Sequence, residues 1–232
     1  MYKLVLLRHG ESVYNKKNIF TGWRDPVLSE KGKQESRKAA NFLKKANFSF
    51  DLVFTSELKR ASQTLRIVLK EMKLKPVIKV SLALNERHYG LLQGKNKAQV
   101  LKEYGLKKFT QFRRSWNIRP PALKKPEKEG QPLTESLKDT WQRTGPYWQK
   151  EIIPQIKLGK QVLITAHGST IRAFIKYLDG LSSKEVEGLN VPCGFPLVYL
   201  LDNRFKPIKR YYLGDLKEIK EATKGVANQG KQ

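Results

Sequence analysis

Short apolar runs alternate along this chain with segments whose apolar residues recur every three or four positions. Leu4 to Leu7, opened by Lys3, is one such run and stops at Arg8-His9-Gly10. It predicts a buried strand. Asp51 to Thr55, Val77 to Leu82 and Gln161 to Ala166 have the same form, and the last runs into His167-Gly168. Pro196 to Leu201 and Lys209 to Leu213 predict two late strands. The helical spacing falls between them. Residues 30–45 carry Ala39, Ala40, Phe42 and Leu43 among charges, with Ser29 as N-cap. Leu58, Ala61, Leu65, Val68 and Met72 mark a second helix with Ser56 as its cap. Leu137, Trp141, Trp148, Ile152 and Ile156 mark a long third helix, and residues 170–178 a fourth. Strands that alternate with helices predict an α/β fold: a mostly parallel central sheet with helices on both faces.

The pattern changes over 86–133. Short amphipathic pieces lead into Arg119-Pro120-Pro121, Pro126, Gly130 and Pro132. This region reads as a cap insertion over the sheet edge, inside one domain spanning 1–232. Residues 222–232 are rich in Gly, Gln and Lys and read as a mobile C-terminal tail. A chain of 232 residues can bury a core without staples.

Composition narrows the partners. One cysteine, Cys193, excludes an internal disulfide framework, and three histidines leave no zinc-binding cluster. No metal is expected. The longest apolar runs are too short for a secretory or membrane-spanning segment. A cytoplasmic location is therefore expected, with no membrane partner. The formal charge is +25, from 46 basic and 21 acidic residues. Such a field attracts anions. No run of Lys and Arg exceeds two residues, so the basic tail of a nucleic-acid binder is missing. Small phosphorylated molecules fit better than nucleic acid.

Two strands end alike, at Arg8-His9-Gly10 and Ala166-His167-Gly168. Ligands of open α/β sheets bind outside the carboxyl ends of the strands, so both histidines belong at one rim. The following glycines would let the backbone turn and approach a ligand. A histidine nucleophile must be neutral, and nearby cations disfavour the imidazolium. Arg8 is adjacent, and Arg60 lies in the first turn of the helix after the second strand. Their planar guanidinium groups also suit phosphate oxygens. Glu86, after the third strand, is the candidate general acid and base, because a facing phosphate would favour its proton-bearing form. Gly10 to Asn15, with Ser12 and Asn15, and Thr21-Gly22-Trp23 supply further donors. Arg113 and Arg114, with Lys97, would hold a second anionic group.

These residues lie in longer motifs: Leu7-Arg8-His9-Gly10-Glu11-Ser12, Phe20-Thr21-Gly22-Trp23, Leu84-Asn85-Glu86-Arg87-His88-Tyr89-Gly90 and Ala166-His167-Gly168. Together they resemble the cofactor-dependent phosphoglycerate mutases of the histidine phosphatase superfamily. The Arg-His-Gly piece marks only the superfamily; the Thr-Gly-Trp and Leu-Asn-Glu-Arg-His-Tyr-Gly pieces are much more specific to the mutases. Val226 to Lys231 is also similar to the family's ending.

The resemblance implies that 3-phosphoglycerate and 2-phosphoglycerate interconvert through phosphohistidine on His9. Glu86 would move the proton, and His167, Arg8 and Arg60 would surround the phosphoryl group. Ser12, Asn15, Thr21, Gly22, Arg87, Tyr89, Lys97, Arg113, Arg114, Gly168 and Ser169 would bind substrate. Priming by 2,3-bisphosphoglycerate, no metal and a homo-oligomeric assembly are further expectations. Two features depart from the family. Ser169 stands where members usually have Asn, and residues 122–133 are shorter than in the long-form mutases. The rival activities are a histidine-type phosphatase and a bisphosphoglycerate mutase using the same His9. A basic, non-catalytic binding protein is the rival of another class.

Overall fold

A computed structural model describes residues 1–230. Strands β1 (Tyr2–Arg8), β2 (Leu52–Thr55), β3 (Val77–Val80) and β4 (Val162–Ala166) run parallel in the order β3-β2-β4-β1. Strands β5 (Leu197–Leu201) and β6 (Pro207–Tyr212) extend the sheet antiparallel beyond β1. The mostly parallel sheet predicted from the pattern is present.

Successive strand residues point to opposite faces, and the core divides accordingly. Leu4, Leu6, Phe54, Val162 and Ile164 pack on one face. They meet α5 (Leu137–Tyr147), α6 (Ile153–Lys157) and α7 (Gly168–Leu178), through Trp148, Ile156 and Phe174 among others. Val5, Leu7, Val53 and Leu163 pack on the other face, against Ala39, Ala40 and Leu43 of α2 (Glu30–Lys45) and Leu65 and Val68 of α3 (Lys59–Met72). Each fully buried aliphatic side chain contributes about 1.5–3 kcal/mol. Ser29 caps α2 by accepting from the Gly32 amide, a contact worth about 1 kcal/mol.

Several local expectations change. The cap position of α3 is Leu58, without a side-chain cap bond. Ser56 is engaged elsewhere, 2.7 Å from His167 Nε2. The third strand ends at Val80, and Leu82–Leu84 form a single 3-10 turn. The long helix is interrupted. Pro154 has no amide to donate, and a wider π-type turn at Trp148–Ile152 separates α5 from α6. Its stripe is retained: Leu137, Trp148, Ile152 and Ile156 are fully buried, and Trp141 stacks on Tyr177.

The cap holds a longer helix than its sequence promised, α4 (Lys97–Arg114), broken at Gly105 by a positive φ of 74°. Phe20, Leu92, Val100, Phe109 and Phe112 give it a small core of its own. The short helices α1 (Val13–Lys16) and α8 (Ser183–Gly188) flank the rim. The predicted tail differs most. Ala222 to Asn228 are helical, as the end of α9 (Leu216–Asn228), and Gly230 is buried against Phe109. Asp215 caps that helix through the Lys217 and Glu218 amides, and Ile219 anchors it. Both lie upstream of the polar stretch, so its composition alone hid the helix. Lys231 and Gln232 lie outside the described residues. Among those described, no helix is long and apolar enough to cross a membrane.

Candidate active site

The site follows from strand register. Arg8 of β1 pairs with Ala166 of β4, so the next residue of each strand is a histidine. The ladder continues one step, with the His9 amide donating to Ala166 O at 3.0 Å. The two imidazole rings meet edge to face, with centroids 5.0 Å apart. Gly10 has a different task from the one its sequence context predicts. A Cβ there would collide with the backbone of Gly32. The glycine lets the end of β1 pack on α2, and the Gly10 amide donates to Thr64 Oγ1 at 3.0 Å.

His9 is wholly buried in the cleft and neutral. Its Nδ1 lies 2.7 Å from Gly10 O. A carbonyl only accepts, so Nδ1 carries the ring proton and Nε2 keeps its lone pair. Arg60 Nε donates to that Nε2 at 3.3 Å. Burial, then the charges of Arg60 and Arg8, hold His9 well below the usual imidazole range. Burial and Arg60 do the same to His167. Arg60 itself, lowered by burial to about 10, remains a cation at neutral pH. Its other nitrogens donate to Arg24 O and Gly22 O at 2.9 and 2.8 Å. Gly22 adopts a positive φ of 55° there, and a Cβ would strike the Gln93 side chain.

Arg8, His9, Asn15, Thr21, Gly22, Arg60, Glu86, Tyr89, Lys97, Arg113, Arg114, Gly168 and Ser169 line one cleft. Three predicted residues stand behind its wall. Ser12 is the cap of α1, accepting from the Asn15 amide at 3.1 Å. His167 supports His9 through the ring contact. Arg87 is fully buried and donates to Tyr89 Oη at 3.0 Å and to Arg113 O at 2.9 Å. Glu86 is held from two sides: Oε1 accepts from the Arg87 amide at 2.7 Å and the Ser169 amide at 3.2 Å.

The pattern of apolar and polar positions missed several contributors. Arg172 lines the cleft and is nearly inaccessible. It donates to Arg113 O, Arg114 O and Val186 O at 3.3, 2.8 and 2.7 Å. Its signal was present: one cation inside the apolar run Ile171 to Ile175. Val226 and Gln229 also line the cleft, and Lys97 Nζ donates to Gln229 Oε1 at 2.9 Å. The likeness of Val226 to Lys231 to the family's ending points the tail toward the site but does not name this contact.

Six cations, Arg8, Arg60, Lys97, Arg113, Arg114 and Arg172, line the cleft with one carboxylate, Glu86. Among the described residues, buried polar atoms without a protein partner include Arg8 Nε, Arg172 Nε, Thr21 Oγ1 and His167 Nδ1. Burying such groups is costly unless an acceptor meets them. A multiply charged anion supplies acceptors for this set. Among the described residues, no group of His, Cys, Asp and Glu is placed to hold a metal ion.

A neutral histidine with a free lone pair, ringed by arginines at the carboxyl rim of a parallel sheet, defines a phosphoryl-transfer enzyme. Residues 4–198 match the family model of the histidine phosphatase superfamily, branch 1, and the chain belongs to that superfamily. Among solved structures, it is similar to a mycobacterial glucosyl-3-phosphoglycerate phosphatase. Identity is 25%, the match covers 91% of this chain and 97% of that one, and the TM-score is 0.73. A putative α-ribazole-5'-P phosphatase from Escherichia coli is 21% identical, with 93% and 100% covered and a TM-score of 0.71. YhfR from Bacillus stearothermophilus is 22% identical, with 94% and 98% covered and a TM-score of 0.74. The last two support the fold.

Proposed function

We propose that this enzyme interconverts 3-phosphoglycerate and 2-phosphoglycerate through a phosphohistidine on His9, primed by 2,3-bisphosphoglycerate. The observation that carries the proposal is that the cleft's cations come in two sets. Arg8 and Arg60 accompany His9 on β1 and α3, whereas Lys97, Arg113, Arg114 and Arg172 come from α4 and α7. A substrate with a phosphate and a carboxylate uses both sets. A bisphosphorylated intermediate uses them in either orientation.

In the proposed step, His9 Nε2 attacks phosphorus as the ester oxygen leaves, and Glu86 gives that oxygen its proton. The attack displaces the Arg60 Nε contact from Nε2 and leaves the guanidinium for the phosphoryl oxygens. Arg8 completes the surroundings, and His167 backs His9 through the ring contact. The reverse step places the phosphoryl group on the other hydroxyl, with Glu86 taking up the proton. Bisphosphoglycerate supplies the phosphoryl group that primes His9. The unpartnered buried donors described above fit its negative charge. The docked end of α9, through Val226 and Gln229, covers the cleft and shields phosphohistidine from water.

A second reading is a phosphatase, with water as the final acceptor. It is favoured by the names of the relatives, glucosyl-3-phosphoglycerate phosphatase among them. One assay separates the two. Primed enzyme is incubated with 3-phosphoglycerate, and 2-phosphoglycerate and free phosphate are both measured. The mutase reading expects 2-phosphoglycerate to form far faster than phosphate. Phosphate as the sole product would reject it in favour of the phosphatase.

A further inference from the structure

Among the described residues, the Glu86 carboxylate is held by two amides and meets no cationic side chain as a hydrogen-bond partner. Its placement therefore depends on the backbone that carries it. That backbone is a single 3-10 turn, Leu82–Leu84, followed by irregular chain, and carbonyls left outside a ladder need other partners. One side chain supplies most of them. Arg143 of α5 donates from Nη1 to Leu82 O and Ala83 O at 3.3 and 2.9 Å. Its Nη2 donates to Asn85 O and Glu86 O at 2.9 and 3.0 Å.

The same guanidinium is aimed by a carboxylate. Glu135 accepts from Arg143 Nε at 2.7 Å and from Nη2 at 3.1 Å. Glu135 is almost inaccessible, and its Oε2 also accepts from the His88 amide at 2.8 Å. Trp23 closes the arrangement: its Nε1 donates to Glu86 O at 2.5 Å, and Arg143 stacks over its ring at 5.6 Å. Thr144 and Thr170 bind Ala83 O and Asn85 O, both at 2.8 Å. Among the described residues, the contacts on Glu86 O come from Trp23 and Arg143.

We propose that Arg143, oriented by Glu135 and backed by Trp23, is a positioning residue for the acid–base step. It fixes the segment that aims Glu86, and it touches no substrate. A misplaced Glu86 still leaves His9 with its lone pair and its arginines. The loss should fall on protonation of the leaving oxygen and spare nucleophilic attack. The proposal rests on Glu86 being the general acid.

The test uses two probes that do not depend on the natural substrate. Phenyl phosphate needs a proton on its leaving oxygen, whereas 4-nitrophenyl phosphate releases its phenolate unaided. The rate of His9 phosphorylation is measured with each in single turnover. Glu86→Gln should lose about 100-fold on phenyl phosphate, within the usual range for general acid catalysis, and less than about threefold on the nitro ester. Arg143→Lys should lose about tenfold on phenyl phosphate and less than about threefold on the nitro ester, and Glu135→Gln should follow the same pattern. Equal losses of Arg143→Lys on both probes, or no loss, overturn the proposal while Glu86→Gln remains selective. A Glu86→Gln variant without selectivity instead rejects Glu86 as the acid, and the positioning role falls with it. If Arg143→Lys does not fold, Trp23→Phe removes one of the two contacts on Glu86 O. It should show the same selectivity at smaller size, and its absence overturns the proposal.

Discussion

The transferring end and the holding end of the cleft are built in different ways. At the transferring end, His9 and His167 extend two neighbouring parallel strands by one residue. Their positions are set by the sheet ladder, among the most rigid parts of a fold. At the holding end, Lys97 opens α4, Arg113 and Arg114 close it beyond the break at Gly105, and Arg172 comes from another helix. Helix polarity works against an anion there, because the C-terminal end of α4 carries partial negative charge. Two buried guanidinium groups reverse this. Arg172 caps Arg113 O and Arg114 O, and Arg87 adds a second bond to Arg113 O. One end is positioned by backbone, the other by arginines that hold arginines.

The largest effect expected from breaking this division lies at the transferring end. His9→Ala removes the nucleophile, and no other neutral imidazole has the same reach. His167 lines no part of the cleft surface, and its Nε2 is engaged by Ser56. Phosphoryl transfer should fall by at least about 10⁴-fold, while 3-phosphoglycerate binding changes by less than about threefold. Calorimetric titration of the variant, beside a turnover assay, checks both. An acid-labile phosphoryl label that persists on the variant would move the nucleophile elsewhere.

The same division explains what the sequence made legible. A strand followed by Arg-His-Gly declares its own place, because parallel strands end at a common rim. Arg8, His9, Arg60 and His167 needed only that rule. The holding end depends on which helix faces which, and sequence spacing does not state that. Residue type alone suggests Lys97, Arg113 and Arg114 as holders of a second anion, and the family resemblance adds that they bind substrate. Arg172, Arg143 and Gln229 went unseen because their roles are contacts over long stretches of chain, up to 132 residues for Gln229 and Lys97. The end of α9 was obscured for a simpler reason. Gly225 and its polar neighbours look like a tail until Asp215 and Ile219 are seen to start and anchor a helix.

A smaller effect should separate the two ends from the other side. Arg172→Met takes a donor from three carbonyls, of which Arg113 O keeps Arg87 and Val186 O keeps the Leu189 amide, and removes charge from the holding end without touching His9. A hydrogen bond from a charged group is worth about 1.5–3 kcal/mol, so KM should rise about 10- to 100-fold. The rate constant at saturation should stay within about threefold. Arg172→Lys should recover part of the affinity, since one ammonium can still meet one or two of the carbonyls. Steady-state kinetics decide the matter. A fall in kcat as large as the rise in KM would mean that α7 couples the two ends and that they do not work separately.

The smallest effect is a pH dependence confined to the holding end. Burial lowers Lys97 to about 7, with Arg113, Arg8 and Arg114 adding to the shift and Glu86 opposing it. Near neutral pH the free enzyme therefore carries this charge on only part of its molecules. A bound anion favours the ammonium, so binding takes up a proton. Above pH 7 the affinity for 3-phosphoglycerate should fall by up to about tenfold per pH unit. The ligand does not cause this trend, because a phosphate monoester with a second pKa near 6 is already dianionic there. Nor does His9, which burial and two arginines keep neutral across the range. Titration of the His9→Ala variant from pH 6.5 to 8.5 isolates binding from turnover. Measurement in two buffers of different ionisation heat should show proton uptake on binding, which Lys97→Met should abolish along with the slope. An affinity that stays flat over that range in the Lys97-containing protein would show that Lys97 keeps its proton throughout, and that burial and the arginines around it do not depress it enough to titrate.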